Sequence, residues 1–144
     1  MLRNPQTLAR VILATSIVLT VAIVAVADVF NASHVFNPAW PGHARFHGMM
    51  MFVMLSFVSL YSLRALFGPM TKEKALAGGL APLAFWPGLI LVLPVPGTDV
   101  YASDDLRDLG FPINVMIAIV MIAITIVGVR LGRRGASPAG TDRG

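Results

Sequence analysis

The sequence predicts an all-α fold: a polytopic membrane four-helix bundle with both termini cytoplasmic and a kinked third helix. Of the 144 residues, 56% are hydrophobic and only 12% are charged, whereas soluble domains carry about 25% charged residues. The mean hydropathy is +0.77. Apolar runs of about 20 residues, the length that crosses a bilayer as a helix, recur along the chain. Because backbone groups in lipid must bond within their own segment, the spans are expected to be helices.

Four segments meet this length requirement, and we expect them to form a single transmembrane domain over residues 1–134. The residues that follow are rich in Gly, Ser, Pro and Arg and have no apolar surface to bury. They predict a disordered cytoplasmic tail over residues 135–144. The expected spans cover residues 8–27, 46–66, 75–94 and 112–131.

The first span allows a second interpretation. Arg3 and Arg10 precede an apolar run that ends in small residues near position 27, as in a cleaved signal peptide. A retained span is favoured, because the apolar stretch is long for a signal peptide and cleavage would leave Asp28 as the new terminus. Both alternatives give the remaining spans the same orientation.

The third span differs from the fourth in its helix breakers. Pro82 and Pro87 lie within it, and a proline inside a helix removes a backbone donor and clashes with the preceding turn. We therefore expect this helix to bend. After it, Ser103 precedes Asp104 and Asp105, which predicts a short capped helix on the membrane surface. The fourth span is rich in Ile and Met and predicts a continuous helix.

The distribution of charge predicts the orientation. Lys and Arg near span ends favour the cytoplasmic side, and with both termini inside, only Arg45 and Arg107 lie opposite. The segments 28–45 and 95–111 then face outward, which is the periplasm for a bacterial inner membrane. The cations expected on the cytoplasmic side are Arg3, Arg10, Arg64, Lys72, Lys74, Arg130, Arg133, Arg134 and Arg143.

The composition argues against several functional classes. The chain has no cysteine, which excludes disulfide frameworks, thiolate metal centres and iron–sulfur clusters. It also lacks a phosphate-binding glycine loop before a lysine, so the sequence does not support a function driven by nucleotide hydrolysis. The net charge is +4, but the basic residues are scattered over span ends, so nucleic acid is not expected as a partner. The expected partners are the membrane and a lipid or apolar small molecule.

Polar chemistry is concentrated between the first two spans, where all three histidines of the chain lie. A carboxylate, imidazoles and amides occur together there between two apolar runs, which predicts a pocket at the outer membrane surface. The candidate catalytic residues are Asp28, His34, His43 and His47. The candidate ligand-binding residues are Asn31, Asn37, Trp40 and Arg45, with Asn114 from the start of the fourth span.

Three kinds of chemistry fit this set. The first is binding or acid–base transformation of an apolar ligand that reaches the pocket from lipid. The second is a metal site: no cofactor is expected, and the alternative is Zn or Cu held by His34, His43 and His47, since imidazoles are ordinary ligands of first-row metals. The third is structural, with the polar side chains capping helices and contacting lipid phosphates.

The run HVFNPAWPGHARFH at residues 34–47 resembles the motif of an uncharacterised family of small four-helix membrane proteins. The resemblance covers the first two spans, and it implies a four-helix architecture with this outer segment as its functional feature. More distantly, an acid at the end of helix one and a following loop with Pro and Trp are similar to the EXPERA superfamily of sterol isomerases and sterol-binding proteins. That resemblance implies a ligand-facing role for Asp28. The second span lacks the acid that those proteins place there, so the resemblance favours binding over isomerisation.

The leading functional expectation is an integral membrane protein that binds a hydrophobic small molecule, such as a sterol-like, terpenoid or quinoid compound. Isomerase- or hydrolase-like acid–base chemistry on that molecule stays open. The alternative from another class is a non-enzymatic accessory subunit of a larger membrane complex, since small residues such as Gly78 and Gly79 suit helix packing. Assembly of the chain as a homo-oligomer is compatible with either.

Overall fold

A computed structural model of the chain describes residues 4–101 and 103–136. Within them the fold is all-helical, with five α-helices and no strand. The predicted tail is described only to residue 136, and Arg3 and Arg143 lie outside the described residues. The helices are α1 (Pro5–Val24), which continues into a π-helical turn (Ala25–Val29), α2 (Gly42–Ala65), α3 (Lys72–Leu91), α4 (Asp104–Asp108) and α5 (Ile113–Arg134).

Four of these helices are long and apolar enough to cross a membrane: α1 with its π-helical turn, α2, α3 and α5. The four predicted spans are therefore confirmed, and the chain has the architecture of a multi-pass membrane protein. Large apolar side chains cover the outside of the helices, as expected where the surrounding medium is lipid. Examples are Val18, Leu60, Leu80 and Ile119.

Three of the spanning helices, α1, α2 and α3, begin earlier than the apolar pattern predicts, and side-chain caps at Asn4 and Thr71 account for two of these starts. α2 begins at Gly42, directly after Pro41. α3 begins at Lys72, because the Thr71 side-chain oxygen accepts a hydrogen bond from the backbone N–H of Lys74 at 3.2 Å. It ends at Leu91, before the predicted end at residue 94.

The short helix α4 confirms the prediction made from Ser103. The Ser103 hydroxyl accepts a hydrogen bond from the backbone N–H of Leu106 at 3.3 Å, which caps the helix. All residues of α4 are exposed, so the helix lies outside the bundle.

Helices α1 and α3 form the centre of the bundle. α2 packs against both of them, and so does α5, with the α3–α5 and α1–α5 contacts the most extensive. Within the described residues no contact joins α2 to α5, so these two helices lie on different sides of the central pair. Leu13, Ile17 and Ala75 are fully buried in the core.

Buried hydroxyl groups connect the helices within this apolar core. The Ser16 and Thr125 hydroxyl oxygens lie 2.5 Å apart across the α1–α5 contact. On the other side, the Ser62 hydroxyl of α2 accepts a hydrogen bond from the backbone N–H of Ala81 on α3 at 3.2 Å. Such bonds hold helices together where lipid provides no hydrophobic driving force for association.

The connections at residues 30–41 and 92–112 meet at one end of the bundle, where α1 and α3 end and α2 and α5 begin. At the opposite end, the Gln6 side chain donates to the carbonyl of Gly135, and Arg10 donates to the carbonyl of Gly68. The polar segment that the sequence singles out therefore lies at the end formed by the two longer connections.

Candidate functional site

A cavity of about 690 Å³ lies between the two connections and the helix ends beneath them. Its volume is within the range of small-molecule sites, which is about 300–1,000 Å³. The inner part is apolar and the outer part is polar. Most of the apolar lining comes from three helices and includes Ile23, Val24, Phe85, Trp86, Leu89, Ile113 and Ile117.

Trp86 fixes the inner end of the cavity. Its side chain is 2% exposed, and its indole N–H donates to the Thr20 hydroxyl at 2.9 Å. That hydroxyl in turn donates to the carbonyl of Ser16 at 2.8 Å. Because the one polar atom of the indole, its nitrogen, forms its hydrogen bond inside the bundle, the rest of the ring presents apolar surface to the cavity. Trp86 thus packs within the bundle and also lines the cavity.

Asp28 reaches the cavity from the π-helical turn at the end of α1. The backbone N–H of Phe30 donates to the carbonyl of Ala25 at 2.8 Å, five residues back, which widens this last turn. Such turns occur frequently at functional sites. The Asp28 carbonyl then accepts a hydrogen bond from the backbone N–H of Val35 at 3.2 Å, and this bond folds the connection back over the helix end.

His34 lies beside Asp28 at the cavity mouth. Its Nε2 atom is 3.5 Å from Asp28 Oδ1, and its Nδ1 atom is 2.8 Å from the Ser33 hydroxyl. The first distance is longer than an ordinary N–H···O hydrogen bond, so both groups keep capacity for a ligand. The Trp40 ring meets the His34 ring edge to face, with centroids 5.5 Å apart, and restricts its rotation. Carboxylate, imidazole and indole thus form one wall of the cavity.

Asn31 and Asn37 line the cavity and also shape the connection. The Asn31 side-chain oxygen accepts from the backbone N–H of Ser33 at 2.9 Å. The Asn37 side-chain oxygen accepts from the backbone N–H of Ala39 at 2.9 Å, and its amide nitrogen donates to the Ser33 carbonyl at 3.2 Å. These bonds to the backbone are typical of asparagine in turns. The two residues hold the backbone around His34 in place.

Asn114, one of the candidate ligand-binding residues, lines the cavity from the start of α5. Its side-chain amide donates to the carbonyl of Val100 at 2.8 Å. The bond joins the helix to the second connection and places Val100 and Tyr101 in the cavity wall.

The second connection contributes an ion pair that the sequence interpretation missed. Asp99 lines the cavity and contacts Arg107, whose guanidinium carbon lies 5.0 Å from the centre of the Tyr101 ring. The backbone N–H of Tyr101 donates to Asp99 at 3.0 Å, and this bond, together with Arg107, lowers the pKa of Asp99 below its usual value. Asp99 is therefore ionised at neutral pH. An acid and a base eight residues apart between the last two spans were the available signal.

His43, His47 and Arg45 lie elsewhere, on the first turns of α2 and outside the cavity lining. The Nε2 atoms of His43 and His47 are 2.9 Å apart, and both side chains are exposed. α2 begins directly after Pro41, which places these residues in a helix that contributes nothing to the cavity lining. In the described part of the chain, no three or more His, Asp or Glu side chains are grouped closely enough to hold a metal ion. The structure thus separates His34 from the other two histidines.

Comparison of the chain with models of known families, with curated proteins and with solved structures found no match. The resemblances drawn from residues 34–47 therefore stay predictions. Chemically, the site offers an apolar interior large enough for a small molecule, with a carboxylate and an imidazole side by side at its mouth.

Proposed function

We propose that this protein binds a hydrophobic small molecule in the cavity at the outer end of its bundle. The observation that carries the proposal is the cavity itself: about 690 Å³ with an apolar interior and with Asp28 and His34 at its mouth. A cavity with an apolar interior and a polar mouth suits a compound with a large apolar body and one polar group, such as a sterol-like, terpenoid or quinoid molecule.

The polar group of the ligand would be held by Asp28 and His34. A ligand hydroxyl can donate to the Asp28 carboxylate, and His34 can donate to or accept from a hydroxyl or carbonyl. The apolar body would contact Phe85, Trp86 and Ile117 deeper in the bundle.

The same pair has the groups that acid–base chemistry requires. Asp28 can orient the imidazole of His34, which then moves a proton to or from the bound molecule, as in isomerase- or hydrolase-like reactions. The distance of 3.5 Å between His34 Nε2 and Asp28 Oδ1 and their shared position in the cavity wall support this further step.

The proposed setting is a bacterial inner membrane, with both termini in the cytoplasm and the cavity facing the periplasm. The positive-inside rule supports this orientation, because Lys and Arg are concentrated at the bundle end opposite the cavity. A bend of α3 belongs to the same proposal. Pro82 and Pro87 both lie inside this helix, and Phe85 and Trp86 of the cavity wall lie between them.

Two alanines on the first helix provide a matched test. Ala27 lines the cavity, whereas Ala22 is exposed on the outside of the same helix. We expect Ala27→Phe to fill part of the cavity and weaken binding about tenfold or more, equivalent to about 1.4 kcal/mol. Ala22→Phe adds the same ring to the lipid-facing surface and should leave binding unchanged.

The readout is the protein's own fluorescence. The chain has two tryptophans, Trp40 and Trp86, and both line the cavity. Purified protein in detergent would be titrated with a sterol, with farnesol and with a short-chain ubiquinone while tryptophan emission is recorded. Equal affinity of both variants for the compound that binds would contradict the proposal, as would no response of the folded wild-type protein to any of the three.

A further inference from the structure

His43 and His47 form a pair of exposed imidazoles at the start of α2, one helical turn apart. Their Nε2 atoms are 2.9 Å apart, and the ring planes are nearly perpendicular, at 89°. One ring donates the hydrogen and the other offers its lone pair, so the two Nε2 atoms face each other. Neither residue lines the cavity described above, so that site gives this arrangement no role.

The separation of the two nitrogens fits a shared metal ion. Imidazole nitrogens bind first-row metals at about 2.0–2.1 Å. Two nitrogens 2.9 Å apart at that bond length enclose an angle of about 90° at the metal. A tetrahedral ion would require about 3.3 Å between the nitrogens at the same bond length. The observed spacing is therefore closer to that of adjacent ligands in square-planar or octahedral coordination.

We propose that His43 and His47 form a two-histidine binding site for a divalent transition-metal ion, Cu²⁺ or Ni²⁺, at the outer end of α2. These ions prefer nitrogen ligands in square-planar or tetragonal geometry, and Cu²⁺ binds most tightly in the first-row series. The ion replaces the hydrogen bond between the two Nε2 atoms and lies to one side of the line that joins them. Both rings then carry their proton on Nδ1, so each Nε2 lone pair is free to coordinate.

The remaining coordination positions of the ion are open to water. Both side chains are exposed, and the described residues hold no third His, Asp or Glu grouped with them. An ion held by two protein ligands exchanges with the aqueous phase outside, unlike a structural metal enclosed by four ligands. The site is thus suited to capture and release of the ion.

Titration of the metal-free full-length protein in detergent with Cu²⁺ tests this inference, with electron paramagnetic resonance as the readout. We expect one Cu²⁺ per chain with couplings from two nitrogens. His43→Ala and His47→Ala should each weaken binding about tenfold or more, because even changes to groups around a ligand cost about that much. Both side chains are exposed, and circular dichroism of each variant would verify folding.

A matched control keeps the number of histidines and changes only their spacing. Met49→His combined with His47→Ala places the second imidazole six residues from His43, on another side of the helix. This variant should bind Cu²⁺ as weakly as His47→Ala. Wild-type affinity in the respaced variant or in the double variant His43→Ala/His47→Ala would overturn the inference. So would a loss of Cu²⁺ binding in His34→Ala as large as that in His43→Ala.

Discussion

Asp28 and His34 owe their proximity to the π-helical turn that ends α1. The bond from the Val35 N–H to the Asp28 carbonyl returns the chain toward the helix, and Ser33 and Trp40 then hold the His34 ring. The pair is thus positioned before a ligand arrives, which reduces the entropy that binding costs.

Removing the charge of Asp28 should weaken ligand binding. Asp28→Asn keeps the size of the side chain, but it replaces a charged acceptor by a neutral one. Hydrogen bonds to charged groups are worth about 1.5–3 kcal/mol, so we expect about a tenfold loss of affinity in the fluorescence titration. Asp108→Asn on the exposed helix α4 is the control and should bind as the wild type does. Identical affinities for the two variants would exclude Asp28 from the ligand contacts.

Part of the candidate site could be predicted from the sequence. A carboxylate at the end of one apolar run and histidines before the next indicate a position near the membrane surface. Hydropathy indicates how deep a residue lies along a span, but it does not indicate on which side of the helix the residue lies. The sequence therefore placed His43 and His47 at the correct end of the bundle, but it did not show that they lie outside the cavity lining. Tyr101 and Asp99 were missed, because contacts between distant segments are not visible in a local pattern.

Helices were the most predictable part of the fold. Long apolar runs require internal backbone bonds in lipid, which leaves helices as the solution for α1, α2, α3 and α5. Their bounds were less predictable, because the side-chain cap at Thr71 and the proline at position 41 set helix starts, and hydropathy does not report either. The π-helical turn had no sequence signal, since its own residues are apolar apart from Asp28.

The α3–α5 contact depends on a glycine that admits no side chain. A Cβ added to Gly132 would lie 2.9 Å from the Cβ of Ala75, which cannot rotate away. We expect Gly132→Ala to force the helices apart and to destabilise the protein by about 1–3 kcal/mol. Thermal unfolding in detergent, followed by circular dichroism, would show this as a lower midpoint temperature.

Gly88 on α3 provides the matched control for that substitution. An added Cβ there meets no atom within 4 Å, and alanine is the better helix former by about 1 kcal/mol. Gly88→Ala should therefore leave the midpoint unchanged or raise it. If Gly132→Ala unfolded at the wild-type temperature, the close approach of α3 and α5 would be wrong.

The two ends of the bundle differ in the charged and titratable residues that they hold. The end with the cavity holds acids and histidines, and the other end holds most of the Lys and Arg residues. The sequence predicted this division from charge alone. It also predicted a pocket at this end, but it did not predict that Gly97, Asp99, Val100 and Tyr101 of the second connection line the cavity together with the first connection.

The proposed orientation can be tested by labelling, because the chain has no cysteine of its own. Ala32 is exposed in the first outer connection, and Pro69 is exposed between α2 and α3. We expect Ala32→Cys to react with a membrane-impermeant maleimide in spheroplasts, and Pro69→Cys to react only after permeabilisation. The reverse pattern would place the cavity on the cytoplasmic side.

The central claim, that the cavity holds an apolar small molecule, is tested most directly by identifying what purifies with the protein. Wild-type protein isolated in mild detergent would be extracted with organic solvent and the extract analysed by mass spectrometry. The account predicts one apolar compound in near-stoichiometric amount, and a marked reduction of it in Ala27→Phe but not in Ala22→Phe. Recovery without such a compound, and in fixed stoichiometry with a larger membrane protein, would contradict the account and favour an accessory subunit.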